Sequence, residues 1–138
     1  MNNLTESTEG LERFITAQNA IRNGNTLYEQ ALKEIQEGKL GFECWVRYVY
    51  PQLKRKGTSK LTEFYGLNGR EEAKAYLEHP VLKERLIKAG QVLLDNDRSV
   101  YEIFSNLGVL KIRTCMLLFA SISDDPIFKK VIDKYGWK

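Results

Sequence analysis

The chain contains 138 residues with a mass of 16.0 kDa, of which 43% are hydrophobic and 28% are charged. These proportions are typical of an ordinary globular domain, so we predict one domain over residues 1–138 with a flexible N-terminal tail at 1–9. The net charge of +3 is too small by itself to indicate a dedicated nucleic-acid-binding protein. No apolar run approaches the roughly 20 residues that cross a bilayer, and no signal-peptide pattern occurs, so we expect no membrane partner.

The cysteine and histidine content excludes several kinds of site. Cys44 and Cys115 stand far apart with no paired spacing, so we expect reduced thiols and a cytoplasmic protein. A zinc site needs about four Cys or His ligands close together, whereas the chain has these two cysteines and His79 alone. No phosphate-binding loop, dinucleotide-binding motif or nucleophile-elbow motif occurs. The sequence therefore predicts no metal and no cofactor, and it leaves open whether the protein is an enzyme.

Helical signals begin early in the chain. The apolar residues within 11–15 mark a first helix. Thr26 and Glu29 have the spacing of a capping box, in which two side chains satisfy backbone N–H groups at the start of a helix. The apolar positions in 28–35 then recur at i, i+3, i+4 and i+7, and Gly38 can end that helix. Two helices are therefore predicted in the first part of the chain.

The segment 42–57 combines aromatic and basic residues. We predict a short helix at Phe42–Val49 and a loop at Pro51–Gly57, because a proline disfavours helical backbone geometry at the residue before it. The aromatic and β-branched content of 45–50 also fits a strand, which is the alternative interpretation. Strand signals elsewhere in the chain are poor.

Helix starts recur further along the chain. Asn68 and Glu71 have the spacing of another N-terminal cap, ahead of a short helix at 73–77. A proline suits the first turn of the next helix, for which His79 is the cap and whose apolar residues run through 82–94. These signals predict two consecutive helices with a very short connection between them.

The last third of the chain supplies the predicted centre of the fold. Ser99 begins a capping-box pattern before a short helix at 100–104, and Asp125 is a natural cap for a helix at 128–135. The segment 110–121 between them is apolar almost all round, so we predict that it is the most buried helix. The sequence thus predicts an all-α fold, a single compact domain of about seven to nine helices around a buried helix at 110–121.

Two cations, Lys111 and Arg113, occur on this apolar helix. A charged side chain rarely enters such a helix unless it is paired or contacts a ligand. Arg113 together with the hydroxyl of Thr114 can hold an anion. The alternative is a salt bridge from Arg113 to an acid such as Glu102 or Glu12.

Other polar and aromatic residues extend the candidate site. Gln18 and Gln52 each clamp backbone groups or contact a polar ligand, because a buried amide must satisfy several hydrogen bonds. Trp45 is either a core residue or a stacking surface for a planar ligand. The favoured hypothesis is a pocket for a small anionic or nucleotide-like ligand. Its candidate residues are Gln18, Trp45, Gln52, His79, Lys111 and Arg113.

Two other functions remain open from the sequence. The first is weak nucleic-acid binding through the basic and aromatic segment 47–60, since cations beside exposed aromatic rings suit phosphate contact and base stacking. Its candidate residues are Arg47, Lys54, Arg55, Lys56 and Lys60. A solvated loop explains the same charges without a ligand. The second is a protein-interaction domain without catalysis, which an exposed apolar patch would indicate.

Several motifs occur together in an order found in a known family. They are Leu11-Glu12-Arg13-Phe14, Tyr50-Pro51-Gln52-Leu53, Ala75-Tyr76-Leu77, His79-Pro80-Val81-Leu82 and Leu110-Lys111-Ile112-Arg113-Thr114-Cys115. This ordered set covers nearly the whole chain after Gly10, and it resembles the domain-of-unknown-function 1810 family, which is sometimes mislabelled calpastatin. The resemblance implies a mainly helical single domain and no established activity.

The chain also differs from the pattern of that family. Cys44 stands where the family usually has a histidine, and Arg47 stands where a tryptophan is expected. Leu107-Gly108-Val109 replaces a Pro-Asp-Asp segment. If the family's site uses that imidazole or those acids, the resemblance implies that the site of this protein is altered.

Overall fold

The structure is a computed structural model that describes residues 3–38 and 45–138. Within these residues it contains nine helices and one two-stranded hairpin. The helices are α1 (Asn3–Asn19), α2 (Leu27–Glu37), α3 (Val46–Val49), α4 (Lys60–Phe64), α5 (Gly69–Glu78), α6 (Pro80–Asp95), α7 (Val100–Ile103), α8 (Asn106–Ile122) and α9 (Pro126–Tyr135). The strands are β1 (Ile21–Arg22) and β2 (Asn25–Thr26). The predicted all-α fold is confirmed.

Helix capping follows the sequence signals closely. The capping box before α2 is present, with the N–H of Glu29 donating to Thr26 Oγ1 at 3.0 Å and the N–H of Thr26 donating to Glu29 Oε1 at 3.1 Å. Asp125 caps α9 as predicted, whereas Ser99 caps α7 by accepting from the N–H of Tyr101 and not through the predicted capping box with Glu102. His79 caps α6, because its Nδ1 accepts hydrogen bonds from the backbone N–H groups of Val81 and Leu82. These caps satisfy backbone donors that have no partner within their helices.

One predicted cap is wrong. The side chain of Asn68 makes no capping hydrogen bond at the start of α5. Its backbone N–H instead donates to the carboxylate of Glu72 at 2.7 Å. Glu72, rather than Glu71, therefore receives the backbone donor at this helix start.

The sequence analysis missed two short elements. The hairpin of β1 and β2 turns through Asn23 and Gly24, which have φ values of 55° and 85°. A two-residue hairpin turn of this kind needs positive φ at both central positions, which Asn and Gly adopt most readily. The second missed element is α4, where the Ser59 side chain accepts from the N–H of Thr62.

The aromatic and basic segment differs in detail from its prediction. Helix α3 covers Val46–Val49, and residues 42–44 of the predicted helix lie outside the described residues. The alternative of a strand at 45–50 is wrong. Residues 51–59 form a loop, which includes the predicted loop at Pro51–Gly57 and makes a parallel bridge from Leu53 to Leu67. Helix α1 begins at Asn3, within the segment 1–9, and the flexibility of that tail stays a prediction.

Helix α8 lies at the centre of the core. It packs against α9, α3 and α7, while α6 packs against α9, α5 and α2. Ile112, Cys115, Met116 and Phe119 on its inner face are fully buried, which confirms the predicted buried helix. Its outer face is also apolar, however, and Leu107 there is 58% exposed. No helix in the described residues is long and apolar enough to cross a bilayer.

Candidate functional site

A cavity of about 320 Å³ lies between α3, α4, the outer face of α8 and the 51–59 loop. Its cationic and hydroxyl-bearing lining residues are Arg47, Arg55, Lys111, Thr58, Ser59 and Thr62. Gln52 and three leucines complete the wall, namely Leu53, Leu107 and Leu110. The lining that the structure describes contains three cations and no carboxylate. A cleft with one sign of charge and apolar walls concentrates its field on a ligand of the opposite sign.

The hydroxyl of Thr62 is oriented by its neighbours to donate. Its oxygen accepts from Arg47 Nε at 2.8 Å and from the Ser59 hydroxyl at 2.9 Å. A hydroxyl has two acceptor lone pairs and one donor hydrogen, so both lone pairs of Thr62 are in use. Only the hydroxyl hydrogen of Thr62 can still form a hydrogen bond. It adds a donor to a cavity that is also lined by three cations.

Gln52 is partly buried, and its main chain and side chain differ in their hydrogen bonding. The main-chain carbonyl of Gln52 accepts from the N–H of Leu67 at 2.9 Å. Its side-chain amide, by contrast, forms no hydrogen bond with any residue in the described ranges. Arg47 likewise uses only its Nε, for Thr62, within those ranges. Both side chains thus keep donors for a molecule that enters the cavity.

A second cavity of about 520 Å³ continues along α8 on the other side of the loop. Its cationic lining residues are Lys54, Arg55 and Arg70, and again no carboxylate is found in its described lining. Gln52, Leu53 and Arg55 belong to both cavities. We call the two cavities together the α8 groove.

The loop over the α8 groove is held by backbone hydrogen bonds to residue Leu67. The N–H of Leu67 donates to Gln52 O, and the N–H of Lys54 donates to Leu67 O at 2.8 Å. Gly66 approaches the Lys54 backbone so closely that a Cβ at position 66 would lie 2.5 Å from Lys54 Cα. Position 66 therefore requires glycine, because the Cβ atom of any other residue would clash with the Lys54 backbone.

Arg13 fixes the chain segment that supports this loop. Its Nη2 donates to Gly66 O at 2.7 Å and forms an ion pair with Glu72 at 3.1 Å, while its Nε donates to Phe64 O at 2.6 Å. The side chains of Arg13 and Glu72 are only 9% and 13% exposed. An ion pair with so many additional hydrogen bonds holds the turn between α4 and α5 in one position.

Gln18 acts as a structural clamp and does not line the α8 groove. It is 1% exposed, and its Nε2 donates to Tyr48 O at 2.7 Å and to the Tyr76 hydroxyl at 3.2 Å. Its Oε1 accepts from Arg85 at 3.1 Å. The amide therefore has protein partners on both its oxygen and its nitrogen, as the structural alternative for this residue predicts.

Trp45 and His79 also lie away from the α8 groove. Trp45 is 5% exposed and packs edge-on against Phe104 at a centroid distance of 5.8 Å, and its indole N–H donates to Glu34 at 3.2 Å. Tyr48 and Tyr50 are buried as well. The walls of the groove are therefore formed by leucines, and the aromatic lining expected from the sequence is not part of it.

The two cations of the central helix diverge. Lys111 lines the first cavity. Arg113 faces another direction, where its Nη2 donates to the main-chain oxygen of Lys138 at 2.8 Å and its Nε is buried without a hydrogen-bond partner in the described residues. The expected salt bridge from Arg113 to Glu102 or Glu12 does not form. Residues two apart on a helix point to different sides, which explains the separation.

The basic segment divides between the α8 groove and solvent. Arg47, Lys54 and Arg55 line the groove, whereas Lys56 and Lys60 are exposed and do not line it. The structure thus brings together residues from both sequence hypotheses, with Gln52 and Lys111 from one and three cations from the other. Arg70 and the hydroxyls of the first cavity were missed, although Thr58-Ser59 directly after the basic run was a usable signal.

The titratable groups with perturbed pKa values lie in the core. Burial raises the pKa of Tyr28 to about 12, partly offset by Arg85, and raises the pKa of Tyr50 and Tyr76. Burial also raises the pKa of the Cys115 thiol, which disfavours the reactive thiolate. No cluster of His, Cys, Asp and Glu with the composition of a metal site occurs in the described part of the chain. The perturbed pKa values therefore identify no catalytic group in the cavity between α3, α4 and α8.

A third cavity, of about 470 Å³, lies near the end of α6 and has mixed charge. Its charged lining residues are Lys88, Asp95, Asp97 and Arg98. Two of them already have protein partners, because Asp95 accepts from Gln91 at 3.0 Å and Arg98 donates to Gln36 O at 3.4 Å. The α8 groove has the more definite chemical character, because the charged residues in its described lining are all cations.

The described residues form a small helical protein with a cationic groove on the outer side of the central helix. The chain belongs to the family described as "Protein of unknown function (DUF1810)", which it matches over residues 8–137. It is also similar to the crystal structure of the conserved hypothetical protein Rv1873 from Mycobacterium tuberculosis, with 35% sequence identity and a TM-score of 0.80. That similarity covers 91% of this chain and 87% of the other. No curated protein matches this chain.

Proposed function

We propose that this protein binds a small anionic molecule in the first cavity of the α8 groove. The observation that carries the proposal is a lining of three cations, Arg47, Arg55 and Lys111, without a carboxylate among the described lining residues. The volume of about 320 Å³ lies at the lower end of the range for ligand pockets, so the ligand is small.

The remaining lining residues favour an anion that also has an apolar or neutral part. Thr62 offers its hydroxyl hydrogen, and Gln52 offers an amide that has no partner in the described ranges. Three leucine side chains lie beside these groups, and an apolar wall strengthens hydrogen bonds between a cation and an anion. A phosphate or carboxylate group at the cations, with the rest of the ligand against leucine, fits this arrangement.

The nucleic-acid hypothesis uses many of the same cations, but the rings within the segment 45–50 are buried. Sequence-independent binding of single strands relies on aromatic rings on which the bases stack. Trp45, Tyr48 and Tyr50, the rings that the sequence offers for this purpose, are at most 7% exposed. The burial of these rings supports a small anion over a nucleic-acid strand, and binding of RNA becomes an outcome of the test below.

The experiment is isothermal titration calorimetry at low salt with inorganic phosphate and a set of phosphorylated and carboxylated metabolites. Lys111→Gln and Arg55→Gln each remove one cation from the cavity. We expect each variant to lose about tenfold in affinity for the tightest ligand, since a hydrogen bond to a charged group contributes about 1.5 kcal/mol or more.

The matched control is Lys129→Gln, which removes the same charge from an exposed position on α9. Its affinity should equal that of the wild type. Equal weakening in the control and the groove variants would show that only net charge matters, and it would overturn the proposal. Absence of binding by the whole set, or binding of single-stranded RNA alone, would do the same.

A further inference from the structure

We infer that both cavities of the α8 groove form one site for a molecule with two anionic groups joined by a neutral spacer. This inference rests on the proposed function and extends it from one anion to a dianion. Its basis is the division of the cations between the two ends of the groove. Arg47 and Lys111 line only the first cavity, Lys54 and Arg70 line only the second, and Arg55 lines both.

The second cavity has the same chemical character as the first. Arg70 and Lys54 form no ion pair with any residue in the described ranges. The hydroxyl of Thr114 on α8 also has no hydrogen-bond partner there, so it retains its donor. An anionic group in the second cavity would contact two cations and a hydroxyl, and an anionic group in the first cavity would do the same.

The chain between the two cation clusters is neutral and lines both cavities. Gln52 supplies an amide and Leu53 an apolar surface. These two side chains can contact the polar and apolar parts of a neutral spacer. On α8 the first cavity is lined by residues between 107 and 111 and the second by residues between 114 and 121, so the midpoints of these stretches fall near positions 109 and 117. The two midpoints are about 12 Å apart along the helix axis at 1.5 Å per residue, which gives the approximate separation of the two anionic groups.

The reason to expect one dianion is effective concentration. Once the first anionic group is bound, the second is held near its own cations, so its binding needs no further loss of translational freedom. The gain is largest when the spacer matches the distance between the two clusters, and it falls for shorter and longer spacers. A single anion, in contrast, contacts the cations of only one of the two cavities.

The test uses alkane-α,ω-bisphosphonates whose spacer lengthens by one methylene at a time, with the alkyl monophosphonates of equal length as the reference. Calorimetry at low salt gives the ratio of the two dissociation constants for each length. We expect this ratio to pass through a maximum of at least about tenfold at a spacer that spans about 12 Å. A ratio that never departs from the statistical value for two identical groups would overturn the inference.

Variants separate this inference from the proposed function. Arg70→Gln should abolish the maximum of the ratio, whereas Lys111→Gln should weaken the binding of both series. Lys129→Gln, the exposed control, should change neither. A maximum that Arg70→Gln leaves intact also overturns the dianion site. Monophosphonate binding that depends on Lys111 but shows no gain from a second phosphonate supports the proposed function alone, and no binding of either series overturns both.

Discussion

The hydrogen-bonding groups around Gln18 and those around Gln52 have opposite arrangements. Gln18 lies in the interior, and its amide contacts Tyr48, Tyr76 and Arg85. Gln52 lies at the surface of the α8 groove, and its side-chain amide forms no hydrogen bond with the described residues. The same residue type is thus a structural clamp in one region and a potential ligand contact in the other.

The arginines repeat this contrast. Arg13 directs its guanidinium to three carbonyl oxygens and the carboxylate of Glu72. Arg70 lines the second cavity of the α8 groove and makes no ion pair within the described ranges. Polar groups that are satisfied by the protein contribute to stability, whereas groups without partners in a concave site are available for binding. Matched substitutions in the two regions should therefore separate stability from affinity.

The largest effect is expected from the arginine pair. Arg13→Met leaves the carboxylate of Glu72 partly buried without its cation, so the free energy of unfolding should fall by about 3 kcal/mol or more. Arg70→Met should change it by less than about 0.5 kcal/mol. Urea denaturation followed by circular dichroism measures both. Adding Glu72→Gln to Arg13→Met should recover part of the loss, and equal stability of the two single variants would contradict the contrast.

The glutamine pair should give the second largest effect. Gln18→Leu removes the donor to Tyr48 O inside the core, so the free energy of unfolding should fall by about 2 kcal/mol. Gln52→Leu removes an amide without a described partner, and its stability should stay within about 0.5 kcal/mol of the wild type. The same denaturation experiment compares them. Ligand affinity should respond in reverse, falling for Gln52→Leu and not for Gln18→Leu at temperatures where both are folded.

A threonine pair should show a smaller difference. Thr62→Val removes the acceptor of Arg47 and Ser59, which should cost about 1 kcal/mol. Thr114→Val removes a hydroxyl without a described partner and should cost less. Thermal denaturation of the two variants measures the difference in stability. Both variants replace threonine by valine, so the intrinsic effect of the substitution cancels in the comparison. A larger loss for Thr114→Val would show that the hydroxyl network of the first cavity does not support the fold.

Alkaline pH should destabilise the interior of the protein through Tyr28. Burial raises the pKa of Tyr28 to about 12, so the folded protein keeps a proton that the unfolded chain releases near its ordinary pKa of 10.0. This contribution to stability is complete below that ordinary pKa and is lost as the pH rises toward about 12. At about pH 11, Tyr28 should account for a loss of about 1 kcal/mol. Tyr28→Phe should show a correspondingly smaller loss than the wild type, and identical pH profiles would contradict this assignment.

Much of the fold could be predicted because its signals are local. Thr26, Ser99 and Asp125 cap helices within a few residues of themselves, and the apolar spacing of α2 and α9 reports the face that each helix buries. The loop at 51–59 follows from the fixed backbone of a proline. Such features depend on nearest neighbours, which a sequence shows directly.

The location of the site was harder to predict because it depends on distant contacts. Trp45 and Lys111 are both unusual in their surroundings, but only the fold shows that the indole packs into the core while the ammonium lines a cavity. Arg70 gave no local signal at all, since it reaches the groove through the placement of α5. The direction of Arg113 likewise depends on Lys138, which is 25 positions away along the chain.

The most direct test of the α8 groove as the binding site is a nuclear magnetic resonance titration of the ¹⁵N-labelled protein with the tightest anionic ligand. The groove should respond first, with the largest shift changes at Gln52, Thr62 and Lys111. The amide resonances of Gln18 and His79 should stay nearly constant. Saturable shift changes confined to Gln18 and His79, with none along the groove, would contradict the account.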